Sequence, residues 1–546
     1  MSASRYASAL RHPTLISWGS PDPRRLLARW EAATALMLAS PPTAEASIGL
    51  ARMLPVWIRW RAHPVGALVA AAARHPRRTA IIDDEGAVTF AELDRRSNAL
   101  ARSWRDAGIG PGTTVGLLCR DGRLFMDVSI ATQKLGANLV YLNAAFSAPQ
   151  VAGVVADESI DVLAHDDALQ AAVVDAEPSK LIVGERELRR AVDGEDSDAL
   201  EPPERPGRIV VLTSGTTGRP KGAVRQGSSA PMDGAALLAS LPVMSGDTTV
   251  VAAPLFHGFG LFGANLALAL NSAVVLRPRF EPERVLSDIA EHRAAALVVV
   301  PVMLQRLLAL PRRAIESHDT SSLRVVLCGG AALSGTLANE FMDRFGDVLY
   351  NVYGSTESGF ATVAGPRDLR KAPGTAGRPT PGVIVRIADD EGKPVRAGVT
   401  GRVLVGSNLR MDAYTGGGGK EIVDGLVVTG DVGHMDRQGR LFIDGRDDDM
   451  IVSGGENVFP EEVEEVLGAH PEVSEAAVIG VPDPEFGQRL RAFVVRTEGS
   501  DVTEYELRTY IHDRLARFKT PRDVVFLDSL PRTATGKIIR RELKNL

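Results

Sequence analysis

Between Thr213 and Gly222 the chain reads Thr-Ser-Gly-Thr-Thr-Gly-Arg-Pro-Lys-Gly, directly after the apolar run Ile209–Leu212. Glycines let a backbone turn its N–H groups toward an anion, hydroxyls add donors, and a lysine adds charge. Thr213, Ser214, Gly215, Thr216, Thr217, Gly218 and Lys221 are therefore expected to cradle phosphate. The segment is not a Walker A loop. That motif has Gly before its Lys and Ser or Thr after it, and Pro220 and Gly222 stand there.

Two other glycine clusters read differently. Gly258-Phe259-Gly260-Leu261-Phe262-Gly263 matches the dinucleotide fingerprint formally, and Glu281 lies at about the spacing of a ribose contact. Phenylalanines fill positions that a pyrophosphate must approach, and Pro254 and His257 stretch the preceding turn, so a nicotinamide or flavin site is not expected. Gly416–Gly419 with Lys420 follows no clean strand and reads as a surface loop.

The elements that must carry these residues alternate. Apolar, β-branched runs at Val115–Cys119, Thr249–Ala252, Ala273–Leu276, Leu297–Val300 and Val325–Leu327 predict strands. Helical patterns such as Ala91–Ala107 and Pro282–His292 separate them, which implies parallel sheets flanked by helices. After about residue 380 the texture shifts to short strands and turns. A last stretch has its own strand–helix–strand pattern through Ala476–Ile479, Tyr505–Leu515 and Asp523–Leu527. The expected fold class is α/β: a large N-terminal domain with parallel-rich sheets, helices and a small β-rich subdomain, then a small mobile α+β domain. The expected divisions are an N-terminal extension over 1–75, the large domain over 76–446 and the C-terminal domain over 447–546.

Composition narrows the classes. With 546 residues, the chain exceeds one ordinary core. A net charge of -6 argues against nucleic acid as main partner. Two cysteines far apart, Cys119 and Cys328, make neither a disulfide framework nor a metal site and fit a reducing compartment. No run approaches the roughly 20 apolar residues of a membrane span, and no secretory leader is evident, so the cytoplasm is expected. Ile48–Arg61 mixes tryptophans with arginines. Packing on the main body is the expectation there, and peripheral contact with a membrane surface the alternative.

Five motifs in order carry a resemblance: the Thr213–Gly222 loop, Tyr353-Gly354-Ser355-Thr356-Glu357, Thr429-Gly430-Asp431, Gly445-Arg446-Asp447-Asp448, and Pro531-Arg532-Thr533-Ala534-Thr535-Gly536-Lys537. The chain resembles the adenylate-forming superfamily of acyl-CoA synthetases, peptide-synthetase adenylation domains and beetle luciferases, with a weaker echo at Thr89–Leu93. The resemblance implies ATP, Mg²⁺ and coenzyme A as participants. It implies Glu357 as Mg²⁺ ligand, Thr356 at the α-phosphate, Tyr353 and Gly354 at the adenine, and Gly330 where nucleotide and acyl group meet the backbone. It further implies Asp431 and Arg446 at the ribose, Asp448 as hinge, Lys537 as the catalytic cation, and Gly454 and Gly455 along the CoA path.

The substrate acid is less well marked. No acidic residue occurs between Val250 and Asn271, which disfavours an amino acid, and His257 is expected beside the substrate carboxylate. Leu261, Phe262, Pro301, Val302 and Met303 suggest an apolar wall, as they also suit a core. A medium- or long-chain fatty acid is the expected substrate. The alternatives are a fatty-acyl-AMP ligase loading a carrier protein and a CoA ligase for another carboxylic acid.

Overall fold

A computed structural model of the chain describes residues 56, 58–60, 63, 65–194, 196–213, 221–225, 237–238, 240–407, 413–415, 419–447, 451–453, 456–483, 487–515, 519–533 and 536–546. Four sheets organise them. The first has nine strands. Its centre is parallel: Thr79–Asp83, Ala273–Leu276, Thr248–Val251, Ala296–Val299, Val325–Gly329 and Leu349–Ser355, in that spatial order. Every residue of Ala296–Val299 and Val325–Gly329 is buried, as strands covered by helices on both faces require. Antiparallel strands close its edges, Gly86–Thr89 at one end and Gly359–Ala364 with Arg378–Pro379 at the other.

The second sheet places Asn138–Tyr141 between Thr114–Leu118 and Ile209–Thr213, all three parallel. Lys221–Arg225 returns antiparallel, pairing Thr213 with Lys221 and Leu212 with Gly222. Ala413–Tyr414 then adds an edge strand to that hairpin. A third, antiparallel sheet contains Ile384–Ala388, Gly401–Gly406, Leu426–Met435 and Leu441–Arg446. The fourth, with Val473–Asp483, Gly487–Arg496 and Asp523–Phe526, closes over helices Pro460–Gly468 and Glu504–His512 around its own core of Val463, Leu467, Val478, Leu490 and Leu507. The fold is thus mixed α/β, a large parallel-rich N-terminal domain followed by a small C-terminal one.

Local signals explain several boundaries. The Thr89-Phe90-Ala91-Glu92-Leu93 run starts helix Phe90–Asp106 with a capping box. Glu92 N donates to Thr89 Oγ1 at 3.2 Å, and Thr89 N donates to Glu92 Oε2 at 2.8 Å. The fingerprint-like glycines lie in helix Gly258–Ala269, where a side chain at Gly260 would come within 2.3 Å of Ala253 O. They serve close helix packing, and Glu281 caps the next helix, Pro282–Glu291.

At the N-terminal side, Trp60 is 5 % exposed and joins the main core, and Arg59 Nε donates to Glu201 at 3.0 Å. Those two residues pack on the main body, and residues 48–55, 57 and 61 of the same stretch lie outside the described residues. Helix Gly66–Arg74 adds Leu68, Ala71 and Ala72 to the same core. Among the described residues, no helix is long and apolar enough to cross a membrane. Cys119 and Cys328 are free and buried, and burial pushes both thiols up.

Candidate active site

Three loops leave parallel strands of the nine-stranded sheet at their carboxyl ends, where open α/β sheets form ligand crevices. After Thr248–Val251 the chain passes through Pro254 to His257, after Val325–Gly329 comes Gly330, and after Leu349–Ser355 come Thr356 and Glu357. Gly354 lies where the pairing of Leu349–Ser355 with Gly359–Ala364 shifts register, which bends the turn bearing Thr356 and Glu357. Ser358 N donates to Ser355 Oγ at 3.0 Å and fastens that turn.

Asp431 and Arg446 face each other as register partners of the third sheet, with Arg446 Nη1 3.3 Å from Asp431 Oδ1. Tyr353 donates its hydroxyl to Asp431 Oδ2 at 2.5 Å, and Asp431 N donates to Thr429 Oγ1 at 3.0 Å. Burial first, then the Asp431 charge, push the Tyr353 pKa up, so its hydroxyl stays a donor. These contacts tie the large sheet to the antiparallel one at a half-buried carboxylate.

Lys537 enters from the C-terminal domain. Gly536 N donates to Thr533 O at 2.8 Å and Thr533 N to Lys537 O at 2.8 Å, a tight turn with Lys537 beside its tip. Lys537 keeps much of its surface open, yet surrounding protein, and then the Arg446 charge, lower its pKa. Asp431 and Glu357 act in the opposite direction. One ammonium therefore senses the Asp431–Arg446 pair and the Glu357 carboxylate together. Gly536 is in the left-handed region at φ +79, and a Cβ there would lie 2.3 Å from Val302 Cγ1 of the large domain. This contact defines how closely the two domains meet.

Glu357 accepts a hydrogen bond from the Tyr414 hydroxyl at 3.0 Å. Among the described residues no ion pair engages Glu357. A half-exposed carboxylate whose hard oxygens make no ion pair among the described residues suits Mg²⁺, which prefers one or two carboxylates plus phosphate oxygens.

The acid side is built from packing surfaces. His257 caps helix Gly258–Ala269, and its ring lies 4.6 Å from that of Phe256. Its Nε2 is buried without a hydrogen-bond partner among the described residues. Burial first, then the Lys537 charge, bring its pKa to about 4, so the imidazole is neutral near pH 7. The Phe259 ring lies 3.0 Å from where a Cβ on Gly329 would sit, and Phe262 meets Phe360 at 4.3 Å between centroids. Deeper along the helix, a Cβ on Gly263 would be 2.9 Å from Val298 Cγ2. Beyond Val298 lies a cavity of about 30 Å³ lined by Leu241, Val243, Leu266, Leu270 and Leu327.

The structure thus gathers Tyr353, Gly354, Thr356, Glu357, Gly330, Asp431, Arg446, His257 and Lys537 around one crevice. Ser214, Gly215, Thr216, Thr217, Gly218, Asp448, Gly454 and Gly455 lie outside the described residues, as do the side chains of Thr213 and Lys221. Two site residues escaped sequence reasoning. Tyr414 sits beside the glycine run read as a surface loop, and nothing in its spacing points to Glu357. Asp121 accepts from Leu255 N at 3.1 Å, so a carboxylate does reach the 250–271 loop, from another element. Burial raises the Asp121 pKa to about 7 although part of the residue remains open.

The family model described as AMP-binding enzyme matches residues 68–415, and that of its C-terminal domain matches 462–537. The chain belongs to this family of adenylate-forming enzymes. Within it, the chain is an ATP-dependent, AMP-forming acid–CoA ligase, with ATP, Mg²⁺ and CoA as its participants.

The chain is 35% identical over 486 residues to a feruloyl-CoA synthase of Amycolatopsis sp, covering 87% of this chain and 97% of that one. It is 33% identical over 494 residues to the indoleacetate–CoA ligase of Aromatoleum aromaticum (87% and 96%). It is also 33% identical over 491 residues to ScoC, a fatty acid–[acyl-carrier-protein] ligase of Streptomyces coeruleorubidus (87% and 94%). Among solved structures, ATP-bound MatB from Rhodopseudomonas palustris superposes with a TM-score of 0.80 at 28% identity, covering 89% and 98%.

Proposed function

We propose that this ligase activates a compact aromatic carboxylic acid and transfers it to CoA. The reading rests on the close approach of helix Gly258–Ala269 to strand Ala296–Val299 at Gly263 and Val298. A long alkyl chain following that helix would need a channel at this level. The void beyond is about 30 Å³, room for a water-sized group only. The ring faces of Phe259, Phe262 and Phe360 nearer the crevice suit a flat aryl group. The feruloyl and indoleacetate relatives point the same way, and the fatty-acid expectation gives way to the alternative of another acid.

In the first half-reaction a substrate carboxylate oxygen bonds to the α-phosphorus of ATP, and pyrophosphate leaves. Two anions must be brought together, so the chain's contribution is fixed positive charge and positioning. Lys537 would hold the attacking oxygen and the phosphate together, its ammonium drawn by Asp431 and Glu357. Asp431 and Arg446 would hold the ribose, and Tyr353 the adenine. Thr356 and the Thr213–Lys221 hairpin would take phosphate oxygens. Glu357 would hold Mg²⁺, which when bound neutralises phosphate charge. The neutral His257 would border the acid without adding a like charge beside Lys537.

In the second half-reaction the CoA thiol attacks the acyl carbon, and AMP leaves. Lys537 now occupies the crevice, so the small domain must withdraw it to admit the thiol. We assign that hinge to Asp448 and the pantetheine path to Gly454 and Gly455.

The test is AMP release from ATP with aryl, arylalkanoic and C6–C16 acids, each with and without CoA. CoA-dependent turnover confined to aryl acids supports the reading. Turnover rising with alkyl length overturns the substrate class. Acyl-AMP formation unaffected by CoA moves the acceptor to a carrier protein, the activity that ScoC's name carries.

A further inference from the structure

We infer that Tyr414 is a positioning residue for Glu357, and that through it the edge strand Ala413–Tyr414 couples the phosphate hairpin to the metal ligand. The inference rests on the reading of Glu357 as the Mg²⁺ ligand. Glu357 stands on a tight turn, where a flexible carboxylate has several rotamers. The Tyr414 hydroxyl fixes one of its oxygens at 3.0 Å. The second oxygen remains for a cation. Outer donors of this kind orient ligating carboxylates, and losing one typically costs 10–100-fold in metal affinity.

Tyr414 is itself held by the phosphate hairpin. It pairs with Ala223 and Ala413 pairs with Val224, one and two residues past Gly222. Thr415 N donates to Gly222 O at 2.9 Å, and Thr415 Oγ1 donates to Glu158 Oε1 at 2.6 Å. Burial raises the pKa of Glu158, yet the bond from Thr415 anchors the strand from its far side. Residues more than 50 positions apart are thereby one unit. The hairpin's return strand carries Tyr414, Tyr414 carries the carboxylate, and the turn at Thr356 and Glu357 belongs to a different sheet. A phosphate chain seated on the hairpin and a cation on Glu357 are therefore bound by parts that move together.

The test is calorimetric binding of α,β-methylene-ATP to the full chain, in Mg²⁺ and in EDTA, without acid or CoA. Tyr414→Phe should lose about tenfold in affinity with Mg²⁺ and almost nothing in EDTA. Glu357→Gln should lose at least as much with Mg²⁺, and adding Tyr414→Phe to it should cost nothing further. Thr415→Val, which loosens the same strand without touching Glu357, should lose affinity in Mg²⁺ more than in EDTA, by less than Tyr414→Phe does.

Equal losses in Mg²⁺ and EDTA for Tyr414→Phe would make Tyr414 merely structural and overturn the inference. So would an unchanged Tyr414→Phe beside an impaired Glu357→Gln. If Glu357→Gln itself keeps the full Mg²⁺ benefit, the metal-ligand reading fails, and the inference falls with it for a distinguishable reason. Should Tyr414→Phe unfold, the Thr415→Val ratio still decides: a loss confined to Mg²⁺ supports the coupling through this strand, and equal losses in Mg²⁺ and EDTA overturn it.

Discussion

The half of the crevice proposed for the nucleotide and the half proposed for the acid are built on different principles. Asp431, Arg446, Glu357 and Lys537 are charged residues on turns and strand ends, drawn from three parts of the chain and joined by ion pairs, hydrogen bonds and fields. Phe259, Gly263, Val298, Val302 and Phe360 are apolar residues whose function is a shape. Charge chemistry tolerates few substitutes, whereas a shape can be changed by one methyl group at a time. The first half is therefore expected to suit unlike acids, and the second to set which acid is taken.

The sharpest way to break this division is to remove its most loaded cation. Lys537→Ala should reduce acyl-AMP formation by about 10²–10³-fold, the range for deleting a preorganised transition-state donor. Its effect on thioester formation from supplied acyl-AMP should stay within about tenfold. Separate assay of the two half-reactions checks this, and equal losses in both would remove Lys537 from its assigned role. A milder lesion tests where Lys537 must stand. Gly536→Ala adds a methyl at φ +79, aimed at Val302. Strain of about 1–3 kcal/mol corresponds to a loss of about fivefold to 150-fold in acyl-AMP formation, again with the thioester step spared.

Legibility in the sequence follows the same line. The cations and carboxylates stood out because each lies in a short motif with glycine or hydroxyl neighbours that an ordinary surface does not need. The strands were readable because parallel, doubly covered strands are unbroken apolar runs, as Val325–Gly329 is. Val298 was invisible for that very reason: a buried strand valine that closes a pocket is written like any other. Tyr414 was missed because its partner lies 57 residues away and across two sheets. Asp121 was missed because an acidic residue was sought only between Val250 and Asn271, and its tie to Leu255 arises from another element.

The apolar half can be sharpened at Val298. Val298→Ala removes the methyl groups facing Gly263 and joins the crevice to the void behind. The ratio of kcat/KM for acids a few methylenes longer to that for compact aryl acids should rise about tenfold, the scale at which a pocket discriminates by methylene count. Pairing Val298→Ala with Lys537→Ala should show the two effects multiplying, since charge and shape act independently. An unchanged ratio would place the pocket floor elsewhere.

The smallest effect concerns the point where the two halves meet. Asp121 holds Leu255, and hence the loop that bears His257, while its carboxyl is held near pKa 7 by burial. Because the folded pKa is raised, folding keeps the proton that the unfolded chain releases near pH 4. Stability is thus undiminished below that point, falls as pH rises toward 7, and stays reduced above it. Asp121→Asn retains an acceptor for Leu255 N and removes the titration. Its melting temperature should exceed that of the parent by about 2 °C at pH 8 and match it at pH 4. Activity on the best acid should hardly change, because the loop keeps its bond. A gain that persisted at pH 4 would mean that the carboxyl's charge is not what strains this loop.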